Sequence, residues 1–175
     1  PDANVRTFYR VKPDALPHAR GFERSFSLVN GGGSHFAPST PPTPLDLTTY
    51  AEDARVFPAA QLPKDFFSTA TFTDKLIAWI DANRGSGRPF FAYAAYTAPH
   101  WPLQAPDEAI ARFAGRYDAG YEALYASRFA RQKELGFVTA GAEPIDNARF
   151  RPRWSELSDD EKRLEARRME VYAAM

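Results

Sequence analysis

At 175 residues, with 44% hydrophobic and 14% aromatic side chains, the chain has the material of one ordinary globular domain and not of a disordered tail. Lys plus Arg and Asp plus Glu balance at 22 each, and basic residues are interleaved with acidic ones, so no field favours nucleic acid or an anionic membrane. No apolar run approaches the ~20 residues that cross a bilayer, and the absence of Cys excludes disulfides, thiolate metal sites and a Cys nucleophile within these residues.

The opening PDANVRTFYR has neither the basic start nor the apolar centre of a secretory signal. Residues 1–66 read as irregular: VKPDALPHARGFERSF, the turn-forming VNGGGSHF and the proline-dense APSTPPTPLDL, where Pro removes amide donors and fixes φ. So long a stretch without periodicity is unusual for a self-contained domain. It reads as loops and short strands lying on a sheet supplied by other parts of the chain, with TYAEDARVF as one short strand or turn.

Order is clearer in residues 67–106. Phe72, Leu76, Trp79 and Ile80 follow helical spacing, Ser68 or Thr69 can cap the start, and Gly85 follows the end. PFFAYAAYT, after Arg88, is too short for a helix and reads as a buried strand of the kind found inside a parallel sheet. Helix, tight link and buried strand make half of a βαβ unit, which sets the class as α/β. The proline loop APHWPLQAP follows.

Residues 107–175 read as helical. PDEAIARFAG is a short helix with Pro106 near its first turn and Gly115 at its end. A second helix runs from about Tyr121 to Leu135 and stops at Gly136. In the third, Ser158 and Glu161 have capping-box spacing, Asp159 can pair with Arg163, and Leu164, Val171, Tyr172 and Met175 share the buried face. EARRMEVYAAM reads as helix to its last residue with nothing to stop it, and with Pro1 at the other end the chain reads as a piece of a longer protein.

Of the three histidines, His18, His35 and His100, position favours His100. In open α/β sheets ligands bind beyond the carboxyl ends of strands, and Pro99 and Pro102 restrict the backbone around it. Either it is a packed loop residue or it is an imidazole presented at the lip of a sheet. Imidazole changes charge around neutral pH, so a presented one can donate to an anionic oxygen or protonate a leaving group. GGGSH lacks the lysine and spacing of a P-loop and the G-x-G-x-x-G of a dinucleotide fold, and reads as a flexible turn. Asp159 and Asp160 read as a helix cap rather than a metal site. Trp101 is either an aromatic wall for substrate or packed on its neighbouring prolines, and Arg20 with Glu23 reads as a structural ion pair.

PFFAYAAYTAPHWPLQAPDE closely resembles the strand and active-site loop of the sulfatase family, specifically bacterial arylsulfatases, within the alkaline-phosphatase-like superfamily. PHARGFERSFSLVNGGGSHF before it, RYDAGYEAL and ARQKELGFV after it, and RRMEVYAAM near the end agree in order. The resemblance implies part of an alkaline-phosphatase-like sandwich, a mixed central sheet flanked by helices, incomplete at both ends. It implies hydrolysis of a small-molecule sulfate ester. The nucleophile is a formylglycine made from the Cys or Ser of a C/S-x-P-x-R motif, and a divalent cation, usually Ca²⁺, is held by Asp and Asn. The histidine matching His100 lies over the sulfate, where it binds an oxygen and assists departure of the alcohol or phenol.

The departures are specific. No Ser precedes x-P-x-R, and the nearest stretch, STPPT at 39–43, has Thr43 where Arg is required. The family's first Asp pair and G-K-W-H-L-G segment belong upstream of Pro1, and its Asp-Asn ligand pair and a further Lys beyond Met175. Residues 1–175 are thus expected to be an internal segment of the catalytic domain. It carries His100 but neither metal ligands nor nucleophile, and is inactive alone. A phosphate or phosphonate ester hydrolase of the same superfamily and a non-catalytic module on a sulfatase scaffold are the alternatives.

Overall fold

The structure is a computed structural model describing residues 12–29, 31–145 and 152–175. All of PDANVRTFYRV, the opening block included, lies outside them. The chain divides into two compact units, one running to Gln104 and the other from Ala105 to Met175. The class is mixed α/β, with one small antiparallel sheet among the described residues.

In the first unit the segment read as irregular holds the core. Strands β1 (Phe26–Leu28), β2 (Thr49–Glu52) and β3 (Arg55–Pro58) form an antiparallel sheet in that order. TYAEDARVF is therefore a whole hairpin rather than one strand. Asp53 occupies its turn at a φ of 50°, a conformation Asp tolerates better than most residues. Its carboxylate accepts from the Ser25 amide at 2.7 Å and the Arg24 guanidinium at 3.0 Å, tying the turn to the approach to β1.

The register sets Tyr50 opposite Phe57, and their rings stack at 6.3 Å. Phe66 meets Tyr50 edge-on at 5.5 Å, and Ala59 completes the buried cluster. Phe26, Leu28, Ala37, Leu62 and Phe72 pack around it. Burying one such ring contributes about 2–3 kcal/mol, and burial alone pushes the Tyr50 phenol up to about 12.

Helix α1 (Ser68–Asn83) forms where the periodicity places it, and Gly85 follows its end. No side chain caps its start, because Phe67, which has no acceptor, stands at the N-cap and Ser68 and Thr69 already lie inside the helix. The apolar stripe Phe72, Leu76, Trp79 and Ile80 lines an open groove of about 860 Å³ whose other wall includes residues 88–97. PFFAYAAYT is not a buried strand here. It pairs with no strand among the described residues, and Phe90, Phe91, Tyr93 and Tyr96 are exposed. An apolar run signals a need for burial, but a strand also needs neighbours on both sides.

In the second unit α2 (Asp107–Ala111) is short, and turns carry the chain on to Gly115. Helix α3 (Gly120–Glu134) ends as expected, with Gly136 at a φ of 75° behind it. Helix α4 (Asp159–Ala174) carries the expected capping box: Ser158 Oγ accepts from the Glu161 amide, and Glu161 returns a bond to the Ser158 amide at 2.8 Å. Its ion pair joins Asp160, not Asp159, to Arg163. Its buried positions are Ala166 and Glu170, while Leu164 and Tyr172 are exposed. The face that packs against α2 and α3 is centred on a small residue and a hydrogen-bonded carboxylate. Glu170 accepts from the Gly115 amide at 2.8 Å and Arg167 at 3.1 Å, and these partners hold it below the usual carboxylate range.

Candidate active site

His100 is exposed on the loop that leaves the 89–97 segment. Its backbone amide closes a turn onto the Thr97 carbonyl at 2.8 Å, and Pro102 behind it is buried. The ring Nδ1 sits 2.6 Å from the Trp101 carbonyl. A carbonyl only accepts, so Nδ1 carries a proton, and Nε2 is the nitrogen left to gain or lose one. Nε2 makes no hydrogen bond among the described residues. The ring is exposed rather than packed, but the strand end expected to carry it is not there, since 89–97 forms no strand.

The loop is pinned from behind by the Gly-rich stretch. The Gly32 backbone lies against the His100 ring, and Gly33 lies against Thr48. Gly32 and Gly33 are therefore a close-packed support, while Gly31 is exposed with open space beside it. His35 is 2% exposed and sits at its centre. Its Nε2 reaches the His100 carbonyl at 2.9 Å, its Nδ1 reaches Ser68 Oγ at 3.0 Å, and its amide donates to Gln104 Oε1 at 2.8 Å. Ser34 Oγ also meets Gln104, at 3.4 Å. Ser68 was read only as a helix cap, and Gln104 and the bonding of His35 escaped the sequence reading; the available signal was a histidine two residues after glycines that allow close backbone approach.

The remaining candidates take structural or solvent-facing places. His18 lies in a 3-10 turn (Pro17–Arg20), its Nδ1 buried without a partner. Glu23 pairs with Arg88 at 3.1 Å, not with Arg20. Asp159 and Asp160 lie in the first turn of α4, as a cap should. Trp101 is 66% exposed. Ser39, the nearest match to a nucleophile motif, donates to Asp46 at 2.8 Å. No three His, Cys, Asp or Glu side chains cluster as a metal site among the described residues. The described residues bring no such donor set together, and His100 lines neither the groove beside α1 nor the cavity lined by Tyr121, Trp154 and Leu164.

The sulfatase family model matches residues 6–174. The chain belongs to the sulfatase family. The sulfatase domain is alkaline-phosphatase-like, and the mixed α/β structure here is part of one. This sulfatase chain is 42% identical over 172 residues to an uncharacterized sulfatase of Schizosaccharomyces pombe, covering 94% of the chain and 30% of that protein. It is 38% identical over 165 residues to an arylsulfatase of Klebsiella aerogenes, covering 93% of the chain and 34% of that protein. With Arylsulfatase J of Mus musculus it shares 29% over 142 residues, 80% of the chain and 21% of that protein. The chain thus spans about a third of the length of the first two relatives. No helix among the described residues is long and apolar enough to cross a membrane.

Proposed function

We propose that the full-length protein hydrolyses sulfate monoesters and that His100 is a catalytic residue of that reaction. The observation that carries the proposal is the exposed His100 ring on a pinned loop, inside a chain of the sulfatase family, with Nδ1 committed to the Trp101 carbonyl and Nε2 in no hydrogen bond among the described residues. With Nε2 protonated, the ring donates to an ester or sulfate oxygen. As the S–O bond to the alcohol or phenol breaks, that proton neutralises the departing oxygen, and water supplies the atoms that complete hydrolysis. Trp101 beside it offers an exposed face to the organic part of the ester.

The formylglycine and the Ca²⁺ are assigned to chain beyond these residues. There is no Cys, no Ser stands before x-P-x-R, and the described residues do not assemble a cation site. When bound, such a cation offsets the charge of the transferring group; the part supplied here is the proton at Nε2 and its orientation.

Assay of the full-length protein on nitrophenyl sulfate and nitrophenyl phosphate side by side tests the substrate class. Preference for the sulfate is expected. Preference for the phosphate would make it a phosphoester hydrolase of the same superfamily, and turnover of neither a non-catalytic module. His100→Ala is expected to lower kcat/KM by roughly 10²–10⁴, the usual worth of a positioned acid, with the melting temperature unchanged.

A further inference from the structure

We infer that His35 is a positioning residue for His100: a buried imidazole that fixes the backbone on which the active-site imidazole is carried. The inference rests on the proposed role of His100. Burying an imidazole is costly unless its nitrogens find partners, and both do. The His100 carbonyl can only accept, so His35 Nε2 carries the proton of the 2.9 Å bond. In the neutral ring Nδ1 is then an acceptor, which Ser68 Oγ meets at 3.0 Å, with Thr97 Oγ1 at 3.4 Å. Ser68, the first residue of α1, also donates its amide to the His35 carbonyl at 2.8 Å. One residue thus touches the loop at Thr97, His100 and Gln104, and anchors all three to a helix start.

The effect on the His100 ring follows from consecutive carbonyls. His35 orients the carbonyl of His100, and the ring of His100 is aligned on the next carbonyl, that of Trp101. Rotating the first peptide plane turns the chain on which the ring is built, so the donor on His35 controls where Nε2 points. A hydrophobic residue of similar volume would fill the space and leave that plane free.

The test uses the full-length protein with nitrophenyl sulfate and an alkyl sulfate, whose leaving group is poorer. His35→Leu fills the space without a donor, and His35→Gln returns an N–H near the position of Nε2. Each is made alone and with His100→Ala. His35→Leu is expected to lower kcat roughly 10- to 100-fold, the scale of a small misplacement, with a smaller change in KM and a larger loss on the alkyl sulfate. His35→Gln is expected to recover most of the loss, and in the His100→Ala background His35→Leu should have almost no further effect. Losses that multiply in the double variant, or equal losses on both substrates without recovery by Gln, would overturn the positioning role and leave His100 in place. Undiminished turnover by His100→Ala would overturn the role of His100 and the inference with it. If His35→Leu fails to fold, Ser68→Ala carries the same cycle, because it removes the partner of Nδ1; a few-fold loss confined to the His100 background is expected, and one that persists without His100 would count against the inference.

Discussion

A Cβ placed on Gly32 would stand 3.2 Å from Cε1 of His100 and 3.5 Å from its Nδ1. The backbone of one residue is thus the back wall for the ring of the other. Gly32→Ala is expected to push the imidazole aside and lower kcat on a sulfate ester roughly tenfold, since small displacements of a catalytic group are costly. The melting temperature should hold within a few degrees. Turnover equal to the wild type would show that the ring tolerates the shift.

Its neighbour Gly33 has a different constraint. A Cβ there would meet Thr48 Cγ2 at 2.5 Å, inside contact distance, with Thr48 itself buried. Gly33→Ala should destabilise the protein by about 1–3 kcal/mol, the range for overpacking. Adding Thr48→Ser removes the offending methyl and should restore much of the loss in a denaturant titration. No recovery in the double variant would place the strain elsewhere.

Asp46 anchors the proline-rich loop. Its carboxylate accepts from Ser39 Oγ, the Thr43 amide and Thr43 Oγ1 at 2.7–2.8 Å. Burial pushes it up, but the bonds from Thr43 and Ser39 together hold it below its usual value. A folded value below the unfolded one means that its stabilisation is complete above the unfolded value of ~3.9 and fades as pH falls through the folded one. Asp46→Asn should cost about 1–3 kcal/mol near pH 7, with the gap to wild type closing below about pH 4. Melting temperatures of the two proteins from about pH 2 to about pH 7, a range that spans that value, would check this.

Phe90, Phe91 and Tyr93 are exposed together on a segment that has no strand partner among the described residues. Apolar surface of this kind marks an interaction site. The 175-residue chain produced alone should bind an apolar dye, self-associate and hydrolyse no sulfate ester. Phe91→Lys should reduce that self-association while destabilising the full-length protein by several kcal/mol, on the order of other lost buried rings. Improved solubility without a cost in the full-length protein would mean the segment stays on the surface there.

What the residues disclosed in advance follows their physics. Helices α1, α3 and α4 were legible because their signals are local: the spacing of Phe72, Leu76 and Trp79, the box of Ser158 and Glu161, and Gly136 as a stop. The buried cluster was not, because Tyr50, Phe57 and Phe66 meet through a hairpin of four-residue strands, too short to show an alternation. The strand expected at 89–97 rested on composition, which reports the demand for burial and not its supply. On α4, Leu164 read as core but is exposed, and the buried position is Glu170, a carboxylate that the distant Gly115 amide satisfies. The exposure of His100 agrees with the reading of its proline loop; the bonding of His35 was not legible, since its partners lie 33 and 65 residues away.

That separation bears on the order in which the chain folds. The bond from His35 to His100 closes a loop of 65 residues, whereas β2 and β3 meet across a two-residue turn. Closing the longer loop costs more chain entropy and is rewarded only after the intervening hairpin and α1 have formed. The imidazole of His100 is therefore among the last things set in place, and in a refolding experiment turnover should return after the fluorescence of the core, not with it.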